Sequence, residues 1–147
     1  MWTEAYFPSA DHSGVELHAD VLRPANLPSR AKTPVILAVG PYFSHAGQTG
    51  PEGWTQTGPS NRFGDFTSGT DLFARGYTYV MVDLRGFGGS TGCLDWVGPG
   101  EQADVRAAIN WSASGRELWN SCMYAFLASS TRLSPRYASP RYSIASP

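Results

Sequence analysis

The stretch Asp71–Gly92, DLFARGYTYVMVDLRGFGGSTG, decides the fold, because it joins a short helix, a buried strand and a glycine-rich loop without interruption. Thr70 or Asp71 is placed to cap a helix over Leu72, Phe73 and Ala74, and Gly76 supplies the left-handed residue that ends it. Thr78, Tyr79, Val80, Met81 and Val82 follow at once. They are β-forming or apolar with no solvent-facing alternation, the pattern of a strand covered on both faces. Asp83 breaks the run, and Arg85, Gly86, Gly88, Gly89 and Gly92 make a loop at the strand's carboxyl end. In open parallel sheets that edge is where ligands bind. The unit reads as the middle of an α/β sheet.

Toward the amino terminus, Val35–Val39 is a continuous apolar run between Pro34 and Gly40, short enough for a buried central strand parallel to Thr78–Val82. Before it, Glu4–Phe7 and Val15–Leu22 read as strands of a hairpin turned at Asp11–Gly14. In the second of these, Val15, Leu17, Ala19 and Val21 alternate with Glu16, His18 and Asp20, which predicts one wet face and a place near the sheet edge. Between the two central strands, residues 43–70 are rich in Gly, Ser, Thr and Pro. Trp54, Phe63 and Phe66 give that segment something to pin down, so it is expected to be an ordered loop over the strand ends.

Beyond Gly92, the sequence EQADVRAAINWSAS carries the clearest helical signature. Pro99 and Gly100 mark its start, Glu101 and Asp104 suit the dipole of its first turn, and Val105, Ala108, Ile109 and Ser112 form the stripe expected to face the sheet. After Ser114 the character changes. Trp119, Met123, Tyr124, Phe126 and Leu127 allow one more helix or strand. From Ala128 the chain is largely Ala, Ser, Arg, Tyr and Pro, with SPRYA and SPRYS in succession, a composition expected to be disordered.

A chain of 147 residues with 41% hydrophobic content holds one modest core. Its 11 basic and 12 acidic residues leave no global field to recruit nucleic acid or an anionic membrane. Cys93 and Cys122 are too few for a disulfide framework, and no Cys/His cluster has zinc spacing. The reading therefore assigns no cofactor and no metal, and expects a soluble cytoplasmic protein without a signal peptide or membrane span. Oligomeric state is not legible.

The order A-R-G-Y, apolar strand, then D-x-R-G-x-G-G-S-x-G, at Ala74–Gly92, resembles the α/β-hydrolase proteins of the X-Pro dipeptidyl-peptidase and cocaine-esterase family. The resemblance extends over roughly residues 10–114 and implies an amino-terminal part of an α/β-hydrolase sheet: edge hairpin, parallel central strands and flanking helices. It divides the chain into a partial hydrolase domain over 1–114, an unassigned stretch over 115–127 and a Ser/Pro/Arg/Tyr-rich tail over 128–147. For the complete family protein it implies hydrolysis of an ester, or of an amide after proline, through an acyl-enzyme. The substrate would be a peptide or small molecule.

Such chemistry needs a serine on a tight strand-to-helix turn, a histidine, an acid and oxyanion donors. Ser90 satisfies G-x-S-x-G within Gly88–Gly92, but no apolar strand directly precedes it and no helix directly follows, so it reads as a loop residue. By resemblance, Pro41-Tyr42 matches the P-Y that the family places after this strand, with the tyrosine hydroxyl donating to the oxyanion, against local packing under the long loop. Asp83 and Arg85, with Gly86 and Gly88, are read as bracing the loop through mutual or backbone hydrogen bonds. Asp95 and Trp96 lie beside the expected cleft. His18 reads as a wet strand face, His12 as a turn residue and His45 as a loop residue. The family's G-x-S-Y-x-G has no counterpart where Leu127, Ser129 and Ser130 stand. The favoured reading is thus an altered, truncated or frame-shifted form of a serine hydrolase. A non-enzymatic protein binding a partner through its basic tail comes second, and a self-sufficient enzyme using Ser90 last.

Overall fold

The computed structural model describes residues 1–28, 31–41, 43 and 68–114, and the backbone of 123–125. Five strands form one mixed sheet: β1 (Trp2–Pro8), β2 (Glu16–Leu22), β3 (Val35–Gly40), β4 (Thr78–Asp83) and β5 (Met123–Ala125), in the order β1-β2-β4-β3-β5. Among the described residues, helix α1 (Pro99–Ser114) packs against the sheet. The hairpin β1–β2 is antiparallel, as is β2 with β4, while β3 runs parallel to both β4 and β5. Among the described residues no helix is long and apolar enough to cross a membrane.

β4 sits in the middle of the sheet, and all six of its residues are buried. Its odd and even positions serve two cores. Val80 and Val82 join Leu17, Val21 and Leu37 under Ala107 and Ala108 of α1, while Tyr79 and Met81 join Ala38 beneath Phe43 and Leu72 on the other face. A strand that feeds both layers has no wet side, which is why its sequence shows no alternation. Burial pushes the Tyr79 phenol up to about 12, since the phenolate would be charged in an apolar layer.

Three expectations need correction. Residues 70–76 form hydrogen-bonded turns after the helical Ser68 and Gly69. Asp71 has φ 51, a left-handed conformation that neither an N-cap nor a helix tolerates, so the helix over Leu72–Ala74 does not form. The ending is nevertheless as expected. Tyr77 N–H donates to Leu72 O and Gly76 N–H to Phe73 O, both at 3.1 Å, around a Gly76 at φ 82, which is the hydrogen-bond pattern of a glycine C-cap.

The second correction concerns β2, whose Leu17–Val21 are all buried, His18 and Asp20 included. The strand stands one in from the sheet edge, as expected, but flanked by β1 and β4 its His18 and Asp20 lie among polar partners rather than in water. The third is the face of α1. Ala103, Asp104, Ala107, Ala108 and Ser112 are buried, whereas Val105 and Ile109 are only partly covered. Small residues and the Asp104 carboxylate take the most buried side of the helix, while Trp111 stacks on Phe7 of β1 at 4.6 Å.

The stretch over 115–127 contributes β5, while residues 44–67 and the tail over 128–147 lie outside the described residues. Leu37, fully buried on β3, tests the core. Leu37→Ala is expected to cost about 2–5 kcal/mol in urea denaturation, and a cost below about 1 kcal/mol would show that this layer is loosely packed.

Candidate functional site

Two polar clusters organise the carboxyl end of β4. In the first, Arg85 leaves the strand two residues after Asp83 and turns back under α1. Its Nε donates to Asp104 Oδ2 at 2.9 Å and its Nη2 to Asp104 Oδ1 at 2.7 Å, a two-pronged pair whose side chains are 9% and 0% exposed. Nη2 also lies within hydrogen-bond distance of Asp11 Oδ2, Ser9 Oγ and the Gly100 carbonyl, and Arg85 N–H donates to Asp104 Oδ2. One guanidinium thus ties the hairpin turn, the glycine loop and the first turns of α1 together. The Asp104 hydrogen bonds, reinforced by those of Asp11, raise the Arg85 pKa and keep it cationic.

The second cluster lies on the other side of the strand end. The ladder pair Ala19–Val82 brings His18 and Asp83 opposite each other one step further on. There His18 Nδ1 lies 3.0 Å from Asp83 Oδ2, with both side chains at most 1% exposed. Asp83 Oδ2 also accepts from Gly89 N–H at 3.1 Å, folding the loop over the carboxylate. Gly88, at φ 51, passes so close that a Cβ there would run into the Asp83 carboxyl group. Ser90 is buried, its hydroxyl donating to Asp83 O and accepting from His18 N–H, each at 2.8 Å. Gly86 N–H donates to Thr91 O.

The loop then reaches α1 through Asp95. Its carboxylate accepts from Gly100 N–H at 2.8 Å and Glu101 N–H at 3.1 Å, satisfying two of the orphan donors at the helix start. Glu101 returns the contact by accepting from Val97 N–H at 2.7 Å. Trp96 and Val97 between them are left-handed, at φ 38 and 58, and both are exposed. These hydrogen bonds hold a β-branched residue where it rarely sits.

The residues singled out from the sequence therefore separate. Asp83 and Arg85 each meet a partner on another element, His18 and Asp104 respectively. Asp95 serves as a helix cap, and Trp96 projects beside it. His12 is in the hairpin turn at φ 57. His18, expected in water, is buried, because Asp83 and the neighbouring strands enclose it. Tyr42 and His45 lie outside the described residues, although the Gly40 carbonyl just before Tyr42 accepts from Leu84 N–H and so sets that strand end beside the loop. Sequence reasoning missed His18 as a partner of Asp83, and Asp104 as the partner of Arg85. A polar residue in an otherwise apolar strand is the one signal that pointed to the first. Expected in the first turn as a dipole-stabilising acid, Asp104 stands in the second turn, because the helix begins at Pro99, and nothing in its sequence position set it apart as a partner of Arg85.

With this geometry in place, residues 13–126 match the family described as X-Pro dipeptidyl-peptidase (S15 family). A protein of Streptomyces avermitilis that carries a provisional Xaa-Pro dipeptidyl-peptidase name is 37% identical over 99 residues, covering 63% of this chain and 14% of that protein. The chain thus spans a small part of that relative's length. Among solved structures, the esterase Pf2001 of Pyrococcus furiosus aligns with a TM-score of 0.56 at 16% identity, over 86% of this chain and 41% of its own. Est1E of Butyrivibrio proteoclasticus with bound ferulic acid gives 0.53 at 18%, over 82% and 42%. At such identities these likenesses speak for the fold alone, the amino-terminal part of an α/β-hydrolase sheet.

The hairpin turn offers a pH test of the Arg85 cluster. Hydrogen bonds from Ser13 and then Arg85 hold the Asp11 carboxyl well below the usual carboxylate range. A depressed folded pKa means that this stabilisation is fully present above the unfolded value of about 3.9 and is lost as pH falls below it. Thermal melts of Asp11→Asn should lie below wild type at pH 7, with the gap narrowing toward pH 2. A gap independent of pH would sever Asp11 from the cluster.

Proposed function

The chain belongs to the X-Pro dipeptidyl-peptidase (S15) family, and from that premise we propose that it is a fragment or altered form of a serine hydrolase that keeps the sheet and the strand-end loop, with the nucleophile among none of the described residues. The complete family protein would cleave X-Pro peptide or ester bonds through an acyl-enzyme. Within that scheme the central strands hold the reacting carbonyl's surroundings. Tyr42, directly after β3, is the residue assigned to donate to the oxyanion. Asp83, Arg85, Gly86 and Gly88 fix the neighbouring loop rather than touch substrate. A donor anchored at a strand end stabilises charge that develops in the transition state without reorganising at that moment.

The observation that carries the reading is the state of Ser90. A nucleophilic serine gives its proton to a general base and presents its oxygen to the substrate. Ser90 instead donates to a backbone carbonyl and accepts from a backbone amide, and only 8% of the residue is exposed. Its loop also continues through Asp95–Gly98 before α1 begins at Pro99, so it lacks the strand-turn-helix setting of a nucleophile elbow. Its role is to pin the loop to β2 and β4. The nucleophile, its histidine and its acid are assigned to none of the described residues.

Incubation with a fluorophosphonate probe tests this directly. No stoichiometric labelling of the purified chain is expected, and Ser90→Ala should lower stability without changing that result. Labelling at one probe per chain that disappears in Ser90→Ala would show an active serine here and overturn the proposal.

A further inference from the structure

The even-numbered side chains of the β1–β2 hairpin converge on one imidazole. Glu4 pairs with Asp20 and Tyr6 with His18 in the antiparallel register, so all four stand on the same face. His18 is fully buried and Asp20 is 1% exposed, while the Glu4 side chain, on the edge strand, is 44% exposed. His18 Nε2 lies 3.3 Å from Glu4 Oε1 and 4.0 Å from Asp20 Oδ1, and ligand atoms of the three residues all fall within 4.8 Å of one another.

We propose that Glu4, His18 and Asp20 form a binding site for a divalent transition-metal ion of the zinc class, one that clamps the edge strand β1 to β2. Two ligands about 2.0–2.1 Å from one tetrahedral ion stand about 3.3–3.5 Å apart, which the His18–Glu4 separation already meets. The His18–Asp20 separation needs about 0.5 Å of carboxylate movement. One imidazole with two carboxylates suits zinc better than calcium, and water supplies the fourth position.

The surroundings of the three ligands point the same way. The other ring nitrogen of His18 faces the Asp83 carboxylate at 3.0 Å, the arrangement that fixes the tautomer of a ligating histidine with its Nε2 lone pair toward the ion. Asp20 Oδ1 accepts from Trp2 Nε1 at 2.9 Å, which holds that carboxylate's orientation. The buried pair is preformed, and the exposed Glu4 provides the way in. The Tyr6 ring stands 5.1 Å from the imidazole and lines the same face. Glu4 lies 14 residues before His18, so only the hairpin register brings it to the His18–Asp20 pair.

Chelator-treated full-length chain, titrated with zinc chloride by calorimetry, should bind one ion per chain and gain thermal stability. Glu4→Gln and Asp20→Asn should each weaken binding by at least about tenfold and abolish most of the thermal gain. The metal-free melt of Glu4→Gln checks that the exposed position leaves the fold intact, so that arm decides even if Asp20→Asn unfolds. A control carrying His45→Ala and Cys93→Ser should keep wild-type affinity, and calcium chloride should produce no comparable shift. Equal zinc affinity in Glu4→Gln and wild type, sulfur ligands in the zinc-edge absorption spectrum, or no saturable binding would each overturn the site.

Discussion

The buried pair between Arg85 and Asp104 is the constraint on which the rest of this structure depends. A guanidinium and a carboxylate removed from water are costly unless each finds near-complete hydrogen bonding, and here the two-pronged geometry, Asp11, Ser9 and the Gly100 carbonyl supply it. Because those partners come from the hairpin turn and the start of α1, meeting the charge's needs fixes three elements at once. The helix rotation follows. Asp104 must face Arg85, which turns Ala107, Ala108 and Ser112 toward the sheet and leaves Val105 and Ile109 at the flank.

A second polar pair does similar work on the opposite side of β4. His18 and Asp83 meet across the β2–β4 ladder, and the glycine loop closes over them through Gly89 and Ser90. The strand end is therefore held from both faces by charged or polar contacts, while the strand itself is held by apolar ones. Ser90, the residue with the most suggestive local motif, is consumed in this closure. That is why the strand-end loop speaks for membership of a hydrolase family more strongly than for an activity of this chain.

Much of the sheet is legible in the amino-acid order. Thr78–Asp83 and Val35–Gly40 are apolar without alternation because both faces are covered, and Gly76 marks the turn before β4 because its left-handed conformation is open to few other residues. The hairpin is legible from Asp11–Gly14 and the alternation that follows it. What escapes is whatever depends on a partner far along the chain. His18 and Asp20 alternate with apolar residues as a wet face would, and only the flanking strands and Asp83 reveal that this face is dry. Asp104 reads from sequence as one more acid near a helix start, whereas it stands in the second turn and its tie to Arg85 is a tertiary fact. Asp71 defeats the local helix because it adopts a backbone conformation that propensity does not anticipate. Of the candidate site, Asp83, Arg85 and Gly88 are legible as a loop brace from their motif, whereas Tyr42 rests on the family resemblance.

The most direct measurement of this account is a double-mutant cycle on the buried pair, using Arg85→Met, Asp104→Leu and the two together in urea denaturation. Each single change leaves a buried charge without its main counter-ion and should cost about 3–5 kcal/mol, whereas the double variant, with no orphaned charge at that contact, should cost no more than either single. Additive losses would contradict the central claim, because they would mean that Arg85 and Asp104 stabilise the fold independently and that their contact does not join the loop to the helix.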